Sequence, residues 1–233
     1  MKLLGIIGGL GPESTVDYYR LFVSLYRERV RDGSFPPVVV TSIDMARLLD
    51  FVGKGDRASV LEYLLGEIRR LEAAGADLAL ISSNTPHIVF DELQRLSPLP
   101  MISIVETACQ AVAALELKKV GLFGTRFTME GWFYQMRFER EGIEVVVPEP
   151  PDLDYVHSHY MAELTAGVYR DETREGFIAI ARRMTETAGI EGLILGGTEL
   201  PMLLRGASGI DVPVFDTARL HVEKALEFVM DAG

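Results

Sequence analysis

"LLGIIGGLGPEST", residues 3–15, decides the fold. It opens on an apolar run too continuous for a half-exposed strand, passes through glycines at 8, 9 and 11, and turns helical in "STVDYYRLFVSLYRERV" (14–30). That order reads as a strand buried on both faces, a tight turn and a helix. "KVGLFGTRFTME" (119–130) repeats it. A second pair, "ADLALISSNTPH" (76–87) and "IEGLILGGTELP" (190–201), also ends a strand in small residues and opens a helix. Matched turns predict two similar lobes.

Outward from these turns, further apolar runs stand at "PVVVTSID" (37–44), "MISIVE" (101–106), "EVVVPE" (144–149) and "VPVFDT" (212–217). Helical spacing recurs at "ASVLEYLLGEIRRLEAAG" (58–75) and "ETREGFIAIARRMTETAG" (172–189), each closed by a glycine. Strand and helix in alternation give βαβ units with right-handed crossovers. The class is α/β: two similar doubly wound lobes, each with a mainly parallel sheet flanked by helices. The first lobe is expected over 1–98 plus 211–233, and the second over 99–210. Ligands of such sheets bind beyond the carboxyl ends of the strands, where all four turns fall. A pseudo-two-fold pair of lobes with the active-site cleft between them is the expectation.

Composition narrows the partners. A hydrophobic share of 48% in 233 residues supports a full core, while a net charge of −11 disfavours nucleic acid or an anionic membrane as partner. A small anionic ligand needs only a few local donors and stays open. One cysteine, Cys109, allows neither an internal disulfide nor a thiolate metal cluster, and a cytoplasmic setting follows as the default. "MKLLGIIGGLG" has a lysine before an apolar run, as a signal peptide does, but no Ala-x-Ala pattern follows and it reads as a buried strand. No apolar run approaches the roughly 20 residues of a membrane span.

The turns carry the chemistry. Gly9 and Gly11 begin a dinucleotide fingerprint, yet Ser14 stands where its third glycine belongs, and Asp44 lies about thirty residues on rather than about twenty. A tight turn whose helix start could hold a small carboxylate is the more economical reading. "SSNTPH" offers the hydroxyls of Ser82, Ser83 and Thr85, the amide of Asn84 and the imidazole of His87, without the G-x-S-x-G frame of a nucleophile elbow. Helix capping is the plain alternative there, and Thr198 with Glu199 mirror it in "GGTELP".

Taken together, the chain resembles the aspartate/glutamate racemase family. "GGLGPESTVDYY" matches its N-terminal glycine motif, "SSNTPH" its small-C-N-T-x-H motif, "GTRFTME" its second glycine turn and "GGTELP" its G-C-T-E motif. The likeness extends to "VVVPE" (145–149), "ELTAGVYRDETRE" (163–175) and "VPVFDTARLHVEKALEF" (212–228), in order along the chain. It implies cofactor-independent racemisation, in which one cysteine thiolate removes the α-proton and a second thiol returns a proton to the opposite face. Carried over, those cysteines fall on Ser83 and Gly197, and both thiols are absent. A serine hydroxyl needs a base beside it, and glycine supplies no proton at all. Some relatives have threonine at the first position. Cys109 sits in helical "IVETACQAVAALEL" and reads as structural.

Ser83, His87 and Glu199 are therefore the catalytic candidates, with Gly197 marking the second cysteine's place. The resemblance sets Gly9, Leu10, Gly11, Asn84, Thr85, Thr125, Thr198 and Glu199 around a small amino acid or dicarboxylate. It also sets Arg47 on a substrate side-chain carboxylate, the alternative being a surface arginine. A lysine of some aspartate racemases falls on Thr165, against aspartate specificity. Three functions follow: an isomerase or lyase using other groups, an amino-acid binder without turnover, or, least favoured, a nucleotide site. No cofactor and no metal is expected, the H-x-H pair His157 and His159 lacking further ligands. "RR" at 69–70 and at 182–183 reads as solvated helix surface, and Trp132 as helix packing or a dimer contact. The resemblance implies a homodimer.

Overall fold

A computed structural model describes residues 1–231. The chain runs β1 (Leu4–Gly8), α1 (Pro12–Val30), β2 (Val38–Ser42), α2 (Met45–Gly53), α3 (Arg57–Ala73), β3 (Leu78–Ile81), a 3-10 turn (Thr85–Val89) and α4 (Phe90–Leu96). It continues with α5 (Ile104–Ala114), β4 (Lys119–Gly124), α6 (Arg126–Met129), α7 (Phe133–Glu139), β5 (Glu144–Val146) and α8 (Pro150–Ala162). After a short 3-10 turn come α9 (Asp171–Ala188), β6 (Gly192–Gly196), α10 (Leu200–Leu204), β7 (Val214–Asp216) and α11 (Thr217–Met230). Two compact units result, one of Met1–Ile104 with the chain from Ala218 onward, the other of Val105–Thr217.

In the first unit β1 lies between β2 and β3, all parallel, with Ile7 level with Thr41 and Ile81. Alternation sorts the strand residues onto two buried faces. Leu4, Ile6, Leu78 and Leu80 pack against Tyr18 and Phe22 of α1 and Val222 and Leu226 of α11. Ile7, Ala79 and Ile81 pack against Leu64 and Ile68 of α3 and Leu93 of α4. Each such Leu, Ile or Phe side chain taken from water contributes roughly 1.5–3 kcal/mol. Asp44 and Asp56 cap α2 and α3, accepting from the amides of Ala46 at 2.9 Å and Ser59 at 3.0 Å.

In the second unit the order is β5-β4-β6-β7, again parallel throughout. Its first three strands reproduce the order of the first sheet, as the paired turns predicted. Phe123, Leu193 and Leu195 meet Val156 and Tyr160 of α8 and Phe177 and Ile180 of α9.

Three expectations are corrected. The strand over 212–217 belongs to the second unit rather than completing the first lobe. It pairs with β6, the Leu193 amide donates to Pro213 O at 2.8 Å, and the Phe215 ring packs over Gly192. The boundaries thus fall after Ile104 and Thr217, not at 98 and 211. "MISIVE" gives one bridge, Met101 to Ala79, and then α5, because Ile104, Val105, Ala108, Cys109 and Val112 follow helical spacing and are buried. β2 is an edge strand and is only half-buried. Among the described residues no helix is long and apolar enough to cross a membrane.

Candidate functional site

The turn after β1 depends on glycine. Gly9 has φ +80° and its amide donates to Thr15 Oγ1 at 2.9 Å. A Cβ there would fall 2.7 Å from Ser42 Oγ and closer still to the Ile43 backbone. Gly11, φ +102°, then feeds Pro12 into the first turn of α1. The Leu10 side chain is buried in the core, so only its backbone is offered to a ligand.

At the carboxyl end of β3, Ser82 is structural: its amide and hydroxyl both donate to Ile7 O, at 3.0 and 3.1 Å. Ser14 Oγ donates to Ser82 O at 2.9 Å, which explains a serine in place of a third glycine. Asn84 and Thr85 are buried. Ser83 differs, being half-buried with a hydroxyl that has no hydrogen-bond partner among the described residues.

His87 does not supply that hydroxyl with a base. Its Nδ1 lies 3.0 Å from Ser83 O, a carbonyl that can only accept, and the Ile104 amide donates to Nε2 at 3.2 Å. Both ring nitrogens are thereby engaged and the Nδ1–H tautomer is fixed. His221, which sequence reasoning passed over, takes the opposite tautomer. Its Nε2–H donates to Ile102 O at 2.8 Å, and Tyr18 Oη donates to Nδ1 at 3.0 Å. The two rings meet edge-on at 6.2 Å, and Phe90 stacks on His87 at 4.9 Å. Burial, with the neighbouring His221 second, pushes the His87 pKa down to about 3, and burial takes His221 to about 4. Both imidazoles are neutral braces beneath the Ser83 turn.

Arg47 follows the Asp44 cap and is exposed. Its guanidinium lies 4.7 Å from the Tyr63 ring centre and 5.6 Å from that of Phe51, beside a hollow of about 320 Å³ also lined by Glu67 and Arg70. It makes no ion pair among the described residues.

In the second unit Thr125 caps α6, accepting from the Thr128 amide at 3.3 Å. The Arg126 amide donates to His157 Nδ1 at 3.1 Å, and His159 Nδ1 donates to Tyr155 O at 2.9 Å, so the H-x-H pair is turned to separate tasks. Thr165 Oγ1 donates back to Met161 O at 2.8 Å. Trp132 is 69% exposed rather than packed within the unit.

Against the turn after β6 packs a residue of α8 that sequence reasoning missed. A Cβ built on Gly197 would stand 2.7 Å from Tyr160 Oη and 2.8 Å from its Cζ, so the tyrosine occupies the space of a side chain at 197. Tyr160 is 5% exposed on the core face of α8. Its hydroxyl donates to Glu199 Oε2, which also accepts from Thr198 Oγ1 at 3.1 Å. Burial first, and the Glu199 charge second, push the phenol pKa well above its ordinary value. Glu199 and Thr198 are buried with it. The only signal in the sequence was the Leu153, Val156, Tyr160, Leu164 spacing, which shows a core face but not the contact with Gly197.

Comparison with known proteins extends over most of the chain. Residues 7–225 match the Asp/Glu/Hydantoin racemase family. The broad specificity amino-acid racemase RacX of Bacillus subtilis (strain 168) is 24% identical over 147 residues, 62% of this chain and 63% of that protein. The chain thus spans just under two thirds of that relative's length. The glutamate racemase of Aquifex aeolicus (strain VF5) is 27% identical over 78% of this chain and 70% of its own. The crystal structure of an aspartate racemase homologue from Pyrococcus horikoshii OT3 superposes with a TM-score of 0.83 at 35% identity, covering 99% of this chain and 100% of that one.

Proposed function

Because the chain belongs to the Asp/Glu/Hydantoin racemase family, we propose that it is an isomerase that moves the α-proton of a small amino acid or dicarboxylic acid. No cofactor takes part in this reading. The observation that carries it is the Ser83 hydroxyl, half-buried at the first cysteine position and free of any hydrogen bond among the described residues. The hydroxyls of Ser14 and Ser82 are instead spent on backbone carbonyls, which cannot take up a proton. Ser83 and Glu199 are the reacting candidates. The Gly9–Leu10–Gly11 backbone, Asn84, Thr85, Thr125 and Thr198 are the binding ones, and Arg47 is assigned to a side-chain carboxylate. His87 becomes a positioning residue, since both its nitrogens serve the backbone. A cytoplasmic setting, in keeping with a single thiol, and a homodimer belong to the same reading.

The absence of both thiols favours one alternative, a protein that binds the amino acid without turning it over. Incubation with separate L- and D-amino acids, read by chiral chromatography and paired with thermal melts, separates the two. Appearance of the opposite antipode supports the isomerase; ligand-raised melting with no inversion supports the binder. Neither inversion nor stabilisation by any amino or dicarboxylic acid would defeat both.

A further inference from the structure

We propose that the phenol of Tyr160, backed by the Glu199 carboxylate, is the proton-transferring group that replaces the missing side chain at position 197. The inference rests on the proposed proton transfer at the α-carbon and names the group that serves one face of it.

Position comes first. Tyr160 Oη lies 2.7 Å from where a Cβ on Gly197 would stand, so a functional oxygen reaches this place from α8 while the turn itself contributes none. Any larger residue at 197 would expel it. The hydroxyl is also oriented, donating to Glu199 Oε2, with Thr198 Oγ1 donating to the same oxygen. A tyrosine serving only as core filler needs no carboxylate behind its hydroxyl.

Chemistry then selects a relay. Burial beside Glu199 rules out a standing phenolate, so Tyr160 alone is no base. As a relay it needs none. The Cα–H bond breaks and its proton forms a new bond to Oη. The former Oη proton passes to Glu199 Oε2, and the electron pair stays with the substrate, delocalised into its carboxylate. The negative charge moves from Glu199 to the substrate, and reversal returns a proton to the same face. The relay serves one face only, which predicts unequal handling of the two antipodes.

The test uses the parent protein, Tyr160→Phe and Glu199→Gln, each incubated in deuterated water with the separate antipodes of whichever amino acid the parent inverts. NMR follows loss of the α-proton. Tyr160→Phe keeps the ring over Gly197 and removes only the oxygen. Its KM is expected within about threefold of the parent's, with exchange of one antipode slowed about 100-fold or more and that of the other changed less than about tenfold. Glu199→Gln is expected to follow the same antipode. Parent-like exchange in Tyr160→Phe, or equal losses for both antipodes, would overturn the relay while leaving the family reaction intact. A parent that exchanges no α-proton removes the proposed function and the relay with it. If Tyr160→Phe does not fold, 3-fluorotyrosine at 160 keeps the shape and acidifies the phenol. The pH profile of one antipode should then shift, and an unmoved profile contradicts the relay.

Discussion

Tyr160 Oη and Gly197 share one place: the oxygen lies 2.7 Å from the point at which a Cβ on Gly197 would begin. A smaller residue in the turn and a large aromatic from α8 together fill the volume that a turn side chain would otherwise occupy.

A cysteine introduced at 197 therefore overpacks the site. Gly197→Cys is expected to cost about 1–3 kcal/mol, as extra atoms in a filled core do. In a Tyr160→Ala background the same change should cost far less, a coupling of about 0.5–3 kcal/mol in a double-mutant cycle from urea midpoints. Additive costs would show that the ring does not hold the space of residue 197.

Ser83→Ala should separate activity from stability. The hydroxyl makes no hydrogen bond among the described residues, so stability is expected to change by less than about 0.5 kcal/mol. Inversion should slow about 100-fold. A variant that inverts as fast as the parent would remove Ser83 from the reaction.

Acid should unfold the first unit through its histidines. The folded pKa values, about 3 for His87 and about 4 for His221, lie below the ordinary 6.5. Between about 6.5 and about 3 the unfolded chain therefore binds more protons, so stability falls as pH drops through that window and is fully present above it. A tenfold difference in proton affinity between the folded and unfolded chains corresponds to about 1.4 kcal/mol, so several kcal/mol are at stake. In the second unit Glu106, held low by Arg137, adds a loss of its own at the acid end. Urea midpoints at pH 7.5, 6, 5 and 4 measure this, and His87→Gln should flatten the slope. Rising stability from pH 7 to 5 would contradict the neutral pair.

Much of this fold was legible because glycine turns and continuous apolar strands are local signals. The paired stretches at 3–15 and 119–130 gave two like sheets, and helix limits such as 171–188 fell within a residue of the pattern. What escaped was nonlocal. Which sheet takes the strand at 214–216 depends on partners far along the chain, and "MISIVE" carries apolar residues that suit strand or helix alike. Around the candidate site, the small-residue turn between β3 and the 3-10 turn, which carries Ser83, was readable from its motif. His87 could be read as a base only because its engagement by Ile104 N–H and Ser83 O is invisible in sequence. Tyr160 looked like an ordinary core position, since the hole it fills lies in a turn 37 residues away in number, from 160 to 197.

Arg47 gives a specificity test. Arg47→Ala should raise the KM of dicarboxylic amino acids about tenfold or more and leave alanine unaffected, if the guanidinium leaves its stack on Tyr63 to grip a carboxylate. Equal effects on both substrates would make the stack a surface feature.

The central claim is proton transfer at the α-carbon without any thiol. Cys109, the sole cysteine, is fully buried, and burial pushes its pKa up to about 11, so it is no thiolate. The most direct measurement is the rate at which a cysteine-free Cys109→Ala protein interconverts the antipodes of an acidic amino acid, beside the parent. The same rate in both, unaffected by iodoacetamide, is the result predicted. A folded Cys109→Ala protein that has lost the activity of its parent, or a parent that inverts no amino acid, would contradict it.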